Sequence, residues 1–277
     1  MSTQTNRDFT GLGSKATSLL TTLAGDGRNV FTTAEAHALL GGSQTATYKL
    51  LHDLVKGGWL HALDKGRYLI IPLEAGPERR FTLHEFRLAQ HLVPEGYIAY
   101  WTALHHHGLT EQIPRDVWIV APRRRQSVTL IGVTYTFVAL RPHKRFGVQT
   151  VWIEGQPIAI TDLEKSVVDA LDHPEYCGGI TETAKALVAA VEERGADLAR
   201  LSEYALRMQN GALLKRLGYL AERFALPVGD YAEQWRAALS GGRALLDPGR
   251  SIAGPIETRW RLRMNVSDAE IQGWQES

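Results

Sequence analysis

Three observations in the 277-residue sequence predict an α+β chain in two domains. Two helical patterns parted by Gly41-Gly42-Ser43 and followed by an apolar hairpin pattern occupy residues 30–72. Apolar residues then recur with the period of strands between residues 117 and 160, and from Thr161 the period returns to that of helices. The run Pro72-Leu73-Glu74-Ala75-Gly76-Pro77 combines proline, glycine and charge and marks the boundary, giving domains 1–75 and 76–277.

Residues 1–10 are polar and carry no periodic pattern, and Gly13 to Leu23 forms a first helix with Ala16, Leu19, Leu20 and Leu23 on one side. The next helix, Thr33 to Leu40, opens with Thr32 as cap and Glu35 three residues on, a pair that can satisfy each other's orphan backbone donors. Gly41-Gly42 ends it by supplying left-handed conformations, and Ser43 caps a longer helix that runs to Gly57. On that helix Leu50, Leu51 and Leu54 share one side with Thr47 and Gly58. Thr45, Lys49, His52 and Lys56 recur on the other, flanked by Tyr48, with Asp53 at the margin. Trp59 to Leu63 and Arg67 to Ile71 then alternate or run apolar around Asp64-Lys65-Gly66, a hairpin whose tip carries Lys65 and Arg67. Capped helix, double glycine, amphipathic helix and basic-tipped hairpin in this order predict a winged helix-turn-helix. Its second helix presents donors and cations to the major groove of double-stranded DNA, and its wing presents them to the backbone or minor groove.

The second domain is expected to hold a mixed α/β arrangement with an antiparallel-type sheet and a helical C-terminal part. A capping pattern at Phe81-Thr82-Leu83-His84-Glu85 starts a helix to about Leu92, and Tyr97 to His107 forms another. Strands are expected at 117–120, 133–138, 148–153 and 157–160, followed by helices at Thr161 to Leu171, with Thr161 and Glu164 as a capping box, and at Thr181 to Glu193, Asp197 to Met208 and Gly211 to Phe224. The arginine-rich tail from Arg243 to Met264 either returns to the sheet as a last strand or lies across the surface.

Composition limits the chemistry. A formal charge of +1 excludes a histone-like binder, and acids and bases nearly balance across residues 1–75, so affinity for DNA must come from local patches. A second such patch lies between Arg115 and Arg145, with Arg123, Arg124 and Arg125 after one strand and Arg141, Lys144 and Arg145 after the next. The two loops converge on a phosphate-bearing partner if those strands are neighbours. The sole cysteine, Cys177, excludes an internal disulfide and fits a reducing cytoplasm. No signal core and no stretch near the roughly 18 uncharged apolar residues of a membrane span is present, so a cytoplasmic protein without a membrane partner is expected.

His105-His106-His107 cannot converge on one ion, because consecutive helical residues point about 100° apart. Asp162-Leu163-Glu164-Lys165 lacks the residue that metal-dependent nucleases place between the second acid and the lysine. With no P-loop, dinucleotide fingerprint or nucleophile elbow, no cofactor, no metal and no catalytic residue is assigned.

The winged helix, then Tyr97-Ile98-Ala99-Tyr100-Trp101-Thr102-Ala103-Leu104 with His107-Gly108-Leu109, Pro114 and the Trp118 strand, form an ordered set of motifs. With them stands Ile160-Thr161-Asp162-Leu163-Glu164-Lys165-Ser166-Val167-Val168-Asp169, leading to Pro174-Glu175-Tyr176-Cys177-Gly178-Gly179. Over residues 30–225 this set resembles the AbiEi family, the antitoxins of AbiE-type (type IV) toxin–antitoxin modules of phage defence. The resemblance implies a transcriptional autorepressor that binds inverted repeats in its own operator, and a C-terminal domain that counters a nucleotidyltransferase-like toxin without a stable complex. It places DNA contacts at Ser43, Gln44, Thr45, Tyr48, Lys49 and His52, with Lys65 and Arg67 on the wing. Some relatives act as unusual protein kinases on their toxin, but the resemblance brings no motif that assigns a catalytic residue here. Two readings compete with this one: a regulator whose second domain binds a small ligand, and an enzyme, a kinase or nucleotide-handling protein, in which Arg123 to Arg145 grips phosphates.

Overall fold

The computed structural model describes residues 12–64, 66–71 and 84–276. The chain divides into two compact units, Met1–Leu83 and His84–Ser277. The boundary expected at residue 75 and the start of the helical pattern at Phe81 lie outside the described residues.

In the first unit, α1 (Ser14–Gly25) buries Ala16, Leu19, Leu20 and Leu23, the stripe read from its sequence. A strand without a sequence expectation, β1 (Val30–Thr32), precedes α2 (Thr33–Leu40). Thr32 ends β1 and caps α2 in the expected box with Glu35, so one residue closes a strand and opens a helix. Gly41 and Gly42 take φ of 65° and 78°, which turns the chain into α3 (Gln44–Lys56) under the Ser43 cap. The hairpin β2 (Leu60–Asp64) and β3 (Arg67–Ile70) completes a three-stranded antiparallel sheet in the order β1-β3-β2. Leu19, Leu23, Phe31, Ala36, Leu51, Leu54, Leu60 and Ile70 form one core between helices and sheet.

The second unit opens with α4 (Glu85–Leu92), capped by the His84 side chain, which accepts from the Phe86 amide. The helix expected over Tyr97 to His107 is shorter. Tyr97–Ile98 form β4, which fills the space between two other strands, and α5 runs only from Tyr100 to His106. The reversal takes place at Tyr100, which is fully buried at φ 54°, a left-handed backbone that a bulky residue holds only when its surroundings impose it.

Then follow β5 (Asp116–Ala121), β6 (Val128–Leu130), β7 (Val133–Ala139), β8 (Val148–Ile153) and β9 (Gln156–Thr161). The sheet is mixed, in the order β6-β7-β5-β4-β9-β8, which corrects the antiparallel-type sheet expected from sequence. β5 pairs parallel with β7 across the β6 connection and β4 pairs parallel with β9, whereas α5 joins β4 to its antiparallel neighbour β5.

The helical half consists of α6 (Leu163–Asp172), α7 (Ile180–Glu192), α8 (Leu198–Arg207), α9 (Gly211–Arg223) and α10 (Tyr231–Ala237). Asp162, and not Thr161, caps α6: its carboxylate accepts from the Lys165 amide at 2.8 Å. Thr161 is still in β9 and bonds the Ser166 hydroxyl, and Glu164 turns away to accept from the Asp197 amide at 2.8 Å. The tail does not join the large sheet, and much of it, Gly249 to Pro255 included, lies exposed on the surface as the second expectation had it. It forms a small sheet of its own, β10 (Ala244–Leu245), β12 (Leu262–Arg263) and β11 (Ile256–Glu257) in that order, before α11 (Asp268–Gln272). Trp260 and Leu262 reach the main core, and the Trp260 ring occupies the space above Gly218 that any larger residue would fill.

Every residue of α6 from Glu164 to Asp172 is buried, including four ionisable side chains. Lys165 and Asp169 pair one turn apart with no exposed surface on either side chain. Burial pushes the Asp169 carboxyl up, and the Lys165 ammonium beside it holds it down. Lys165→Met or Asp169→Leu alone strands one charge and should cost about 3–5 kcal/mol, whereas the double variant should recover much of that loss. Urea denaturation of the three variants checks this, and strictly additive losses would mean that the pair is not coupled.

Candidate functional site

The α3 face is set by one apolar stripe. Thr47, Leu51 and Leu54 are buried on the inner side, so Thr45, Tyr48, Lys49, His52 and Lys56 stand outside, all exposed. Ser43 and Gln44, at the helix start, are exposed as well. The Thr47 hydroxyl bonds His37 Nδ1 at 3.2 Å, which ties the inner face of α3 to α2. The Ser43 hydroxyl accepts from the Ala46 amide at 3.2 Å and holds the first turn. Asp53 is less marginal than its sequence position suggests: its carboxylate lies 3.6 Å from His52 Nδ1, which places an acid beside the donor face.

The hairpin is anchored beside this face. The Gly66 carbonyl accepts from the Thr33 amide at 2.7 Å and from its hydroxyl at 3.1 Å, which fixes the strand return against the start of α2. Between them lies an open cleft of about 540 Å³ lined by Thr32, Thr33, His37, Gln44, Tyr48 and Tyr68, so α2, α3 and the hairpin share one concave surface. Arg67 is half-buried in β3, and Lys65 lies outside the described residues. At the α2 start, Glu35 is held below the usual carboxylate range by its bonds to Thr32 and the Arg28 guanidinium, against the upward push of burial.

The second basic surface is divided by the fold. Because β5 and β7 are parallel neighbours, the loops that follow them leave from the same end of the sheet, and the two cationic runs do come together. Most of their charges already have protein partners. Arg125 donates to the Leu92 carbonyl at 2.7 Å and lies over the Phe137 ring. Lys144 pairs with the buried Asp172 at 2.7 Å, and Arg145 donates to the Glu95 carbonyl at 3.3 Å. Arg123, Arg124 and Arg141 remain exposed, with no ion pair among the described residues. Of the five residues assigned to this surface from sequence, only Arg123 and Arg124 are free to meet a phosphate.

The histidines of α5 separate as helical geometry requires. His107 Nε2 lies 2.8 Å from the Thr161 carbonyl, while burial and the adjoining His107, His84 and His105 push the His106 pKa down. No group of three or more metal-ligating side chains gathers among the described residues. Cys177 is free and fully buried, and burial raises its thiol well above the ordinary range, which makes it a core side chain and not a nucleophile. Around it, Tyr176 stacks between Trp118 and His173 at 4.8 Å from each, and the Tyr97 and Tyr100 phenols are pushed up mainly by burial. These aromatic and ionic contacts were not read from the sequence, where only the i,i+4 spacing of Lys165 and Asp169 signals them.

No family model matches the chain, and no curated protein matches it. Among solved structures, the crystal structure of the RV2827C protein from Mycobacterium tuberculosis superposes with a TM-score of 0.62 at 16% sequence identity, over 91% of this chain and 92% of that one. At that identity the likeness is one of fold. No helix among the described residues is long and apolar enough to cross a membrane.

The division of the cations predicts opposite outcomes in one experiment. Lys144→Met removes a partner from the buried Asp172 carboxylate and should destabilise by about 1–3 kcal/mol. Arg123→Ser and Arg124→Ser, at exposed unpaired positions, should stay within about 0.5 kcal/mol of the parent. Thermal melts of the three variants read the difference, and equal losses would contradict the assignment of Lys144 to the core.

Proposed function

We propose that the first unit is a winged helix-turn-helix that binds double-stranded DNA through α3, and that the chain is an autorepressing antitoxin of a type IV module. The observation that carries the DNA reading is the outer face of α3. Thr45, Tyr48, Lys49, His52 and Lys56 stand exposed on a helix capped at Ser43 and flanked by a hairpin anchored at Gly66. Hydroxyls, a phenol, an imidazole and two ammonium groups on one face suit both base edges and phosphates.

The antitoxin reading rests on the ordered motifs in residues 97–109 and 160–179. Those motifs fall on β4, α5, α6 and the turn before α7, and among their polar residues Thr102, Thr161, Glu164, Lys165, Ser166 and Asp169 are buried with protein partners. In that position they maintain the second unit, and the surface that counters the toxin lies elsewhere on it. A nucleotidyltransferase-like toxin encoded beside this gene is the expected functional partner.

A ligand-responsive regulator has one observation in its favour, an open cleft of about 670 Å³ lined by Tyr219, Arg223, Pro255, Met264, Val266 and Asp268. A metabolite that binds there would raise the melting temperature of the second unit.

Fluorescence anisotropy with the DNA upstream of the gene should show specific binding that falls steeply with salt. Lys49→Ala should weaken it and reduce the slope of log K against log salt by about one. Binding indifferent to salt and to this substitution would overturn the DNA reading. For the antitoxin reading, co-expression with the neighbouring gene should restore growth, and persistent toxicity with a stable full chain would overturn it.

A further inference from the structure

The large sheet has two edges, and they differ. At one end β6 is only three residues long, and at the other β8 runs for six, Val148-Gln149-Thr150-Val151-Trp152-Ile153, without a charge or a proline. Natural edges are blunted by short strands, charges, prolines or bulges, because a free row of backbone groups is a template for pairing. β8 has none of these devices. It also exposes large apolar side chains, with Val148 at 43% and Trp152 at 71% of their full surface.

The phase of the ladder identifies which groups are free. The Asp162 amide donates to the Gly147 carbonyl at 2.8 Å, so the pairing of β8 with β9 is of the hydrogen-bonded kind at Gly147 and alternates from there. Gln149, Val151 and Ile153 therefore direct their backbone groups to β9, while Val148, Thr150 and Trp152 direct theirs outward. Pro157, which has no amide to offer, stands opposite Trp152 as this phase requires. The three outward residues also share one face of the strand.

We infer that β8 is the dimerisation edge of this protein, pairing antiparallel with β8 of a second copy about a twofold axis that passes between the two Thr150 residues. In that register Thr150 faces Thr150 of the second copy, and Val148 faces Trp152. The three pairs exchange backbone hydrogen bonds in both directions, and Thr–Thr and aromatic–β-branched pairs are the favoured cross-strand neighbours. The charged groups at the strand's ends have partners in their own chain, Lys144 with Asp172, Arg145 with the Glu95 carbonyl and Glu154 with Arg87. The strand itself, with Thr150 on the axis and Val148 opposite Trp152, is what is self-complementary and selects a second copy as the occupant. The inference stands independently of the DNA reading, since it rests on the second unit alone.

The test is a cysteine placed on the axis. Thr150 Cα atoms in such a pair are about 5.5 Å apart, inside the range a disulfide spans, whereas two Val148 residues are more than ~13 Å apart. Thr150→Cys should form a covalent dimer on mild oxidation and Val148→Cys should not, and the buried Cys177 does not compete. Light scattering should give the mass of a dimer for the parent chain. Thr150→Pro, which removes only an outward amide, and Trp152→Lys should both give a folded monomer with an unchanged circular dichroism spectrum. A parent chain that stays monomeric over a wide concentration range overturns the inference, as does a dimer that survives Thr150→Pro or fails to link through Thr150→Cys. A monomer that pairs its β8 with a strand of another protein overturns it as well.

Discussion

Burial of α6 on all sides, with its charges still in place, is the constraint around which the second unit is organised. A helix that is apolar all round needs only a cavity of the right volume, but α6 carries Glu164, Lys165, Asp169 and Asp172 into the interior, and each needs a partner at a defined place. Lys165 and Asp169 pair with each other along the helix through Asp169 Oδ1. Glu164 reaches the start of α8, where it accepts from the Asp197 amide, and Asp172 takes Lys144 from the loop after β7 and the Asn210 side chain from the start of α9. At its far end the Arg216 guanidinium of α9 donates to the Leu171 carbonyl at 2.9 Å and to the Leu246 carbonyl of the tail at 3.0 Å. Such pairs add little net stability, but any other packing of these elements would leave a charge buried alone. They act as register marks that join sheet, helices and tail.

The same constraint explains why the basic loops offer less charge than their sequence suggests. Lys144 lies in a run of cations but serves Asp172, and Arg125 and Arg145 donate to backbone carbonyls of the same unit. A count of arginines in sequence measures the sum of structural and solvent-facing charge. Only the partners separate the two.

Legibility from sequence follows the range of the determining contacts. In the first unit the Thr32–Glu35 box, the double glycine and the Leu51–Leu54 stripe are local, so helix bounds and faces could be read directly, and only the three-residue β1 escaped because its signal is its pairing with β3. In the second unit strand existence was local and visible, but strand order was not. Whether β5 neighbours β7 in parallel depends on crossovers, and nothing in Val117 to Val120 records it. β4 was hidden inside a helical pattern because two residues are too few for a period, and Tyr100 reverses the chain through a conformation its type disfavours. α10 and the tail had a signal that periodicity ignores: Trp235 and Trp260 are large apolar residues in polar stretches, and each is buried with its indole donor satisfied, by Ser202 and Glu222.

Near-neutrality links the two proposals. A chain of net charge +1 whose α3 face offers two lysines and a histidine beside Asp53 has few phosphates within its reach, so a single copy gains little from counterion release. If the chain binds DNA as proposed and pairs through β8 as inferred, a second α3 comes without added charge on either chain, and the second contact would be intramolecular, governed by effective concentration and not by a further bimolecular encounter. Twofold symmetry in the protein in turn selects twofold symmetry in the DNA, which is the property of an inverted repeat. Specificity would then reside in the joining of two weak modules and not in the charge of either.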